Sequence, residues 1–250
     1  MNSSSPIPFV LIIFLSFASA PAFGQLLGEV EGAFTTTRYN KIRIPGEGGD
    51  FFDAADNSFD QETSFAYRVR GGYTINNRHH IIALFAPLTV RYNGSFEVPI
   101  LFDEEEFSAG LPTKLDYRFN SYRITYRYDF VSTSTWRFGA GLTAKIRDAY
   151  IEVEQNGVSS RRSNVGFVPI LNLLAQYRHS KIWGILLEGD ALATPFGRAF
   201  DLQLAVPIHI NENAGVKVGY RVLEGGSDSD EVYNFTWINY FQASLFYQIY

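Results

Sequence analysis

Hydrophobic and polar residues alternate in twos along most of the chain. Trp136, Phe138, Ala140, Leu142, Ala144 and Ile146 interleave with Arg137, Gly139, Gly141, Thr143, Lys145 and Arg147, giving one apolar face and one polar or very small face. Tyr122, Ile124, Tyr126, Tyr128 and Phe130 alternate in the same way with Ser121, Arg123, Thr125, Arg127 and Asp129. Later, Phe200, Leu202, Leu204, Val206, Ile208 and Ile210 are interleaved with Asp201, Gln203, Ala205 and His209. Successive side chains of a strand point to opposite faces, so this period predicts strands that meet a different medium on each side. No segment after Gln25 sustains a helical period.

Runs of this kind predict about ten strands, beginning near Leu26, Ser64, His80, Leu115, Trp136, Val165, Ile182, Phe200, Ala214 and Val232. Every second connection is short and polar: Asn76-Asn77-Arg78, Ser132-Thr133-Ser134, His179-Ser180-Lys181 and Asn211-Glu212-Asn213. The others are often longer, above all 38–62 and 93–112, while 193–198 and 225–230 are brief. Pro87, Pro169 and Pro207 fall inside strands, where a missing donor is expected to mark a bulge.

Aromatics sort by height along these strands. Tyr73, Tyr128, Trp136, Tyr177, Trp183 and Tyr247 stand beside the short turns or the end of the chain, in the apolar phase. Tyr67, Tyr92, Tyr150, Phe167, Phe200 and Tyr220 lie toward the long connections. Two aromatic rings bracketing an apolar band are the pattern that membrane interfaces select.

Composition adds three constraints. The chain is 16% aromatic, yet its mean hydropathy is only −0.06, so apolar residues are spread through it rather than gathered into helical spans. A net charge of −5 speaks against a nucleic-acid partner, and the absence of cysteine excludes disulfides and thiolate metal sites. Residues 9–18 form an apolar run too short to span a membrane, followed by small residues. This predicts a signal peptide over 1–24, cleaved after Ala22-Phe23-Gly24, although residues 1–8 lack the usual Lys or Arg. Residues 25–250 are then the mature domain.

Energetics decide which face meets lipid. Turning the strands inside out would put Arg68, Arg70, Arg123, Arg127 and Lys145 into hydrocarbon, at roughly 2–4 kcal/mol each near the midplane. The charged face therefore belongs to the lumen. Its predicted members are Arg68, Arg70, Arg91, Arg123, Arg127, Arg137, Lys145 and Arg147, with Glu29, Glu31, Glu188, Asp190 and Asp201 as counter-charges. A barrel of about ten strands lies near the size that side chains fill, which favours an ion-pair network over a narrow anion-leaning passage.

Candidate chemistry is sparse. His79, His80, His179 and His209 all map to the short-turn side, and no serine stands in nucleophile–base geometry with them. His79 and His80 point to opposite faces, which is wrong for a shared metal. The acidic clusters at 103–106 and at Asp228, Asp230 and Glu231 read as solvated charge, with divalent-cation binding as the alternative.

The final run, Trp237-Ile238-Asn239-Tyr240-Phe241-Gln242-Ala243-Ser244-Leu245-Phe246-Tyr247-Gln248-Ile249-Tyr250, resembles the terminal strand of bacterial outer-membrane β-barrel proteins. That resemblance implies an outer-membrane location amid lipid and lipopolysaccharide, and insertion by the barrel-assembly machinery. The expectation is an all-β protein: a closed antiparallel up-and-down transmembrane β-barrel of about ten strands, without catalytic, cofactor or metal site. A structural or surface-contact role leads, with a narrow anion-leaning pore and a lipid- or peptide-processing enzyme as alternatives.

Overall fold

The computed structural model describes residues 24–56 and 58–249. The predicted signal peptide thus lies outside the described residues except for Gly24, which opens the first strand. Ten strands close the barrel: β1 (Gly24–Arg43), β2 (Ser64–Ile75), β3 (His79–Ala86), β4 (Thr113–Ser132), β5 (Trp136–Gln155), β6 (Val158–Arg178), β7 (Gly184–Thr194), β8 (Gly197–His209), β9 (Ala214–Asp228) and β10 (Tyr233–Ile249). Each pairs antiparallel with its neighbour in sequence, and β10 closes on β1 from Leu26↔Ile249 to Arg43↔Tyr233. Closure pairs the lower halves of the strands on both sides, which matters in lipid because an unpaired backbone group has no partner there.

The strands outgrow the membrane. β4 and β5 have 20 residues each and β6 has 21, about twice the 9–11 that a tilted strand needs to span a bilayer. In their lower halves the outward side chains are apolar and exposed, among them Ile124, Tyr126, Leu142, Ile146, Leu171 and Leu173. In the upper halves the outer wall turns polar and carries the ion pairs Arg118–Asp148 and Arg161–Glu152. The lower aromatics Tyr73, Tyr128, Trp136, Tyr177, Trp183 and Tyr247 are in the outward phase near the short turns, with the Trp136 and Tyr177 rings 4.7 Å apart.

The interior changes character with height. At membrane level it is charged, whereas higher up Ile42, Val90, Tyr92, Leu115, Tyr117, Ile151, Val153, Ile238 and Tyr240 point inward. The two long connections, 44–63 and 95–112, fold onto this apolar layer. They contribute Phe52, Phe59, Phe96, Ile100, Phe102 and Phe107, which make one core with the barrel residues. A short hairpin, Ile100–Phe102 with Glu105–Phe107, turns at Asp103 and leaves Glu104, Glu105 and Glu106 exposed. The loops are therefore a packed cap on the β1, β3, β4, β5 and β10 side of the barrel mouth.

Three expectations need correction. Tyr92 is not part of a lipid-facing ring: it points inward, buried, and its hydroxyl lies 2.9 Å from Thr37 Oγ1. The prolines do not mark bulges. Strand β3 resumes beyond Pro87 as Thr89–Gly94 in unchanged register on β4, and Pro169 and Pro207 keep theirs on β5 and β9. The bulges lie instead at Arg38 in β1 and at Phe130 in β4. Arg38 shifts the phase of β1, so that Asn40 and Ile42 face inward after Glu29, Glu31, Ala33 and Thr35. Finally, β5 and β6 run on to a two-residue turn at Asn156-Gly157, both at positive φ, so β6 starts at Val158 rather than near Val165.

Candidate functional site in the barrel lumen

Strand periodicity places the charged groups, because every second residue of a membrane-level strand must point into the barrel. Glu29 and Glu31 enter from β1, Arg68 and Arg70 from β2, Arg123 and Arg127 from β4, Arg137 and Lys145 from β5, Glu188 and Asp190 from β7, and Asp201 from β8. Room for them is made on the wall: a Cβ at Gly139 would overlap Asp129 Oδ1 and the Arg127 side chain.

Asp201 is the centre. Its Oδ2 accepts from Arg68 at 3.0 Å and also from Arg123, and its Oδ1 accepts from Arg221 at 2.6 Å. Arg221, only 2% exposed, also donates to Glu31, Gln203 and Gln242, each at 3.0 Å. Glu188 accepts from Arg70 at 2.7 Å, Arg127 at 2.6 Å and Gln203 Nε2 at 2.9 Å. Asp190 is bound by Arg123 at 2.6 Å, Thr143 at 2.8 Å and Asn172 at 2.9 Å. Lys217 pairs with Glu29. Gln203 bridges the Asp201 and Glu188 groups, so the network is continuous.

This network is a septum. Above it lies a cavity of about 320 Å³ that Lys145, Asp190 and Asp201 help to line, and below it one of about 360 Å³ bounded by Arg70, Arg127 and Glu188. Charges buried this deeply are tolerated only because nearly every donor and acceptor is matched.

Not every expected member belongs. Arg91 points outward, its side chain 61% exposed, and pairs with Asp116 on the outer wall, since Val90 and Tyr92 hold the inward phase of that stretch. Arg147 faces the upper cavity and donates to Asn164, with no acid as partner among the described residues. Lys145 lies inward at 3% exposure, 4.6 Å from the Phe119 ring centroid, and no described carboxylate stands within ion-pairing distance. Conversely, Lys217, Arg221 and Gln242 are central although outside the predicted set, and so are Gln203 and Asp129, which the alternation puts on the polar faces of β8 and β4 without marking them as lumen charges. The alternation Val216, Val218, Tyr220 against Lys217, Gly219, Arg221 carried the signal for two of them.

At the lower end, His80 Nε2 lies 2.8 Å from Asp129 Oδ2, and Thr74 Oγ1 lies 2.9 Å from His80 Nδ1. Asp129 is also bound by Arg127 at 3.2 Å and Arg137 at 2.6 Å. Among the described residues no group of His, Asp and Glu could hold a metal ion. The two acidic loop clusters meet through Arg162, which is 3.6 Å from Asp103 and 3.0 Å from Glu231.

No protein-family model and no curated protein matches the sequence. Several solved structures are similar in fold. One is Ail, the attachment invasion locus protein of Yersinia pestis, in complex with the heparin analogue sucrose octasulfate: 12% identity, TM-score 0.39, over 89% of this chain and 99% of that one. Another is the outer-membrane protease OmpT of Escherichia coli: 10% identity, TM-score 0.48, over 94% and 99%. A third is the outer-membrane protein OprG of Pseudomonas aeruginosa: 10% identity, TM-score 0.39, over 92% and 97%. A closed antiparallel sheet with an apolar outer band and a charged lumen is the architecture of bacterial outer-membrane β-barrels. Its closed sheet and outward apolar band place the chain in the outer membrane. At such identities the likeness is one of architecture, and each neighbour's activity is its own.

Proposed function

We propose that this is a non-conducting, non-enzymatic outer-membrane barrel that acts through structure and surface contact. One observation carries the reading: Asp201 on β8 is held by Arg68 and Arg123 from β2 and β4, so opposing walls touch through matched charges at mid-height. A pore needs continuous water, and these contacts occupy its path. The packed cap supports the second half of the reading, because a preordered surface meets a partner without the entropic cost of ordering a loop. In this scheme residues 1–24 are a signal peptide lost on export, and the barrel-assembly machinery inserts the chain. Lipid and lipopolysaccharide surround the apolar band, and neither cofactor nor nucleic acid takes part.

Conductance tests this. Purified protein in a planar bilayer should pass little current. Sustained anion-selective conductance, weakened by Arg127→Ala without loss of thermal stability, would instead establish the narrow anion pore.

A further inference from the structure

The upper cavity has an incomplete wall. Strand β6 pairs with β7 only from Leu171↔Ala191 to Arg178↔Gly184, because β7 and β8 turn back at Pro195-Phe196. Residues 158–170 of β6 keep β5 as their ladder partner and have none on the β7 side. On that side the cavity is bounded by side chains, Val168 and Ile170 from β6, Leu192 from β7 and Phe196 from the turn. Phe196 and, on β6, Phe167 are both exposed.

Its polar lining is unbalanced. Arg162 and Arg198 at the rim are paired with Glu231 and Glu224. Asp190 and Asp201 at the floor are held by Arg123, Arg68 and Arg221. Two cations of the lining form no ion pair with a described residue, Lys145 resting on the Phe119 ring and Arg147 donating to Asn164. Lys145 is buried with Asp190 and Asp201 acting on it only from beyond ion-pairing distance, and among the described residues Arg147 Nε is buried without an acceptor. A buried cation without an anion is unfavourable, and an anion from outside would relieve it. The apolar walls then select what carries the anion.

We propose that this cavity binds a long-chain carboxylate, with its head on Lys145 and Arg147 and its hydrocarbon chain running past Ile170 and Leu192 toward the gap between β6 and β7. About 320 Å³ lies at the small end of the range for ligand sites, which suits a single chain better than a multi-acyl lipid. The gap gives that chain a route to the outer leaflet without crossing the septum.

The test is equilibrium binding of radiolabelled laurate to the full barrel in nanodiscs of zwitterionic lipid, with dodecanol and dodecyl phosphate as competitors. Variants are Lys145→Met, Ala149→Trp to fill the cavity, and Lys41→Met on the outer wall as control. Laurate should bind saturably at one site, and dodecanol should compete at least about tenfold more weakly. Lys145→Met should weaken laurate by about tenfold or more while its melting temperature stays level or rises, since the change removes an unpaired buried charge. Ala149→Trp should abolish binding, and Lys41→Met should leave it unchanged. The assignment fails if laurate does not saturate, if dodecanol binds equally well, or if dodecyl phosphate is taken and laurate is not. It also fails if Lys145→Met binds like wild type, or if Lys145→Met melts early, which would make the lysine a structural group.

Discussion

Arg123 on β4 and Asp201 on β8 meet side chain to side chain inside the barrel, though 78 residues separate them in sequence. They lie four ladders apart one way round the sheet and six the other, so the contact runs nearly across the lumen. The same carboxylate also binds Arg68 and Arg221, which ties four strands to one anion.

Removing that anion should be costly. Asp201→Asn leaves three buried guanidinium groups close together with one charge fewer to hold them. We expect a loss of about 3–5 kcal/mol, the usual cost of breaking a buried pair from one side. Urea titration of the folded barrel, followed by its heat-modifiable migration, reads the shift. Glu104→Gln on the exposed cap turn serves as control and should change stability by less than about 0.5 kcal/mol.

The cap should be separable from the membrane-level barrel. Phe102 and Phe107 are fully buried in the core that the loops share with the upper barrel wall. Phe102→Ala should cost about 3–5 kcal/mol locally, which for a loop assembly is enough to loosen it. Limited proteolysis should then cut within 44–63 and 95–112 while the ten strands stay protected. Loss of the whole barrel would show that cap and wall form one cooperative unit.

Much of this architecture was legible in the chain because lipid and lumen impose opposite solvents on adjacent residues. Nine of the ten strand starts, the short turns and the inward direction of Arg68, Arg70, Arg123 and Arg127 follow from that alternation. It fails where the medium changes. Above the lipid the outer wall is wet and the interior is greasy, so the polar phase points outward, and Arg91, whose charge predicts the lumen, stands on the outer wall. A single extra residue at Arg38 reverses the phase of β1, and nothing in the local composition announces it. Asn156-Gly157 is different: an Asn-Gly pair is a strong hairpin signal, and reading it would have given β5 and β6 their full length. The folding of the two long connections into a core could not be read by period, because their Phe residues follow none.

The histidines separate a structural reading from a catalytic one. Thr74, His80 and Asp129 form a chain of hydroxyl, imidazole and carboxylate, the order in which nucleophilic enzymes arrange such groups. The surroundings favour a different role. Asp129 is already bound by Arg127 and Arg137, and Arg137 Nη2 stands 3.3 Å from His80 Nε2, so a guanidinium crowds the ring nitrogen that faces the carboxylate. His79, His179 and His209 rest against Tyr126, Trp183 and Phe246 and have no acid partner among the described residues. We therefore expect His80→Phe to cost about 1–3 kcal/mol, because it strands buried polar groups of Thr74 and Asp129. Replacing the other three together should cost less than about 1 kcal/mol. Peptide and ester hydrolysis by the purified barrel should be no higher than in a mock preparation. The discriminating variant is Thr74→Val, which keeps the shape and removes only the hydroxyl. If a hydrolytic activity is found, and Thr74→Val abolishes it while thermal stability is retained, the chain is a relay and the non-enzymatic reading is wrong.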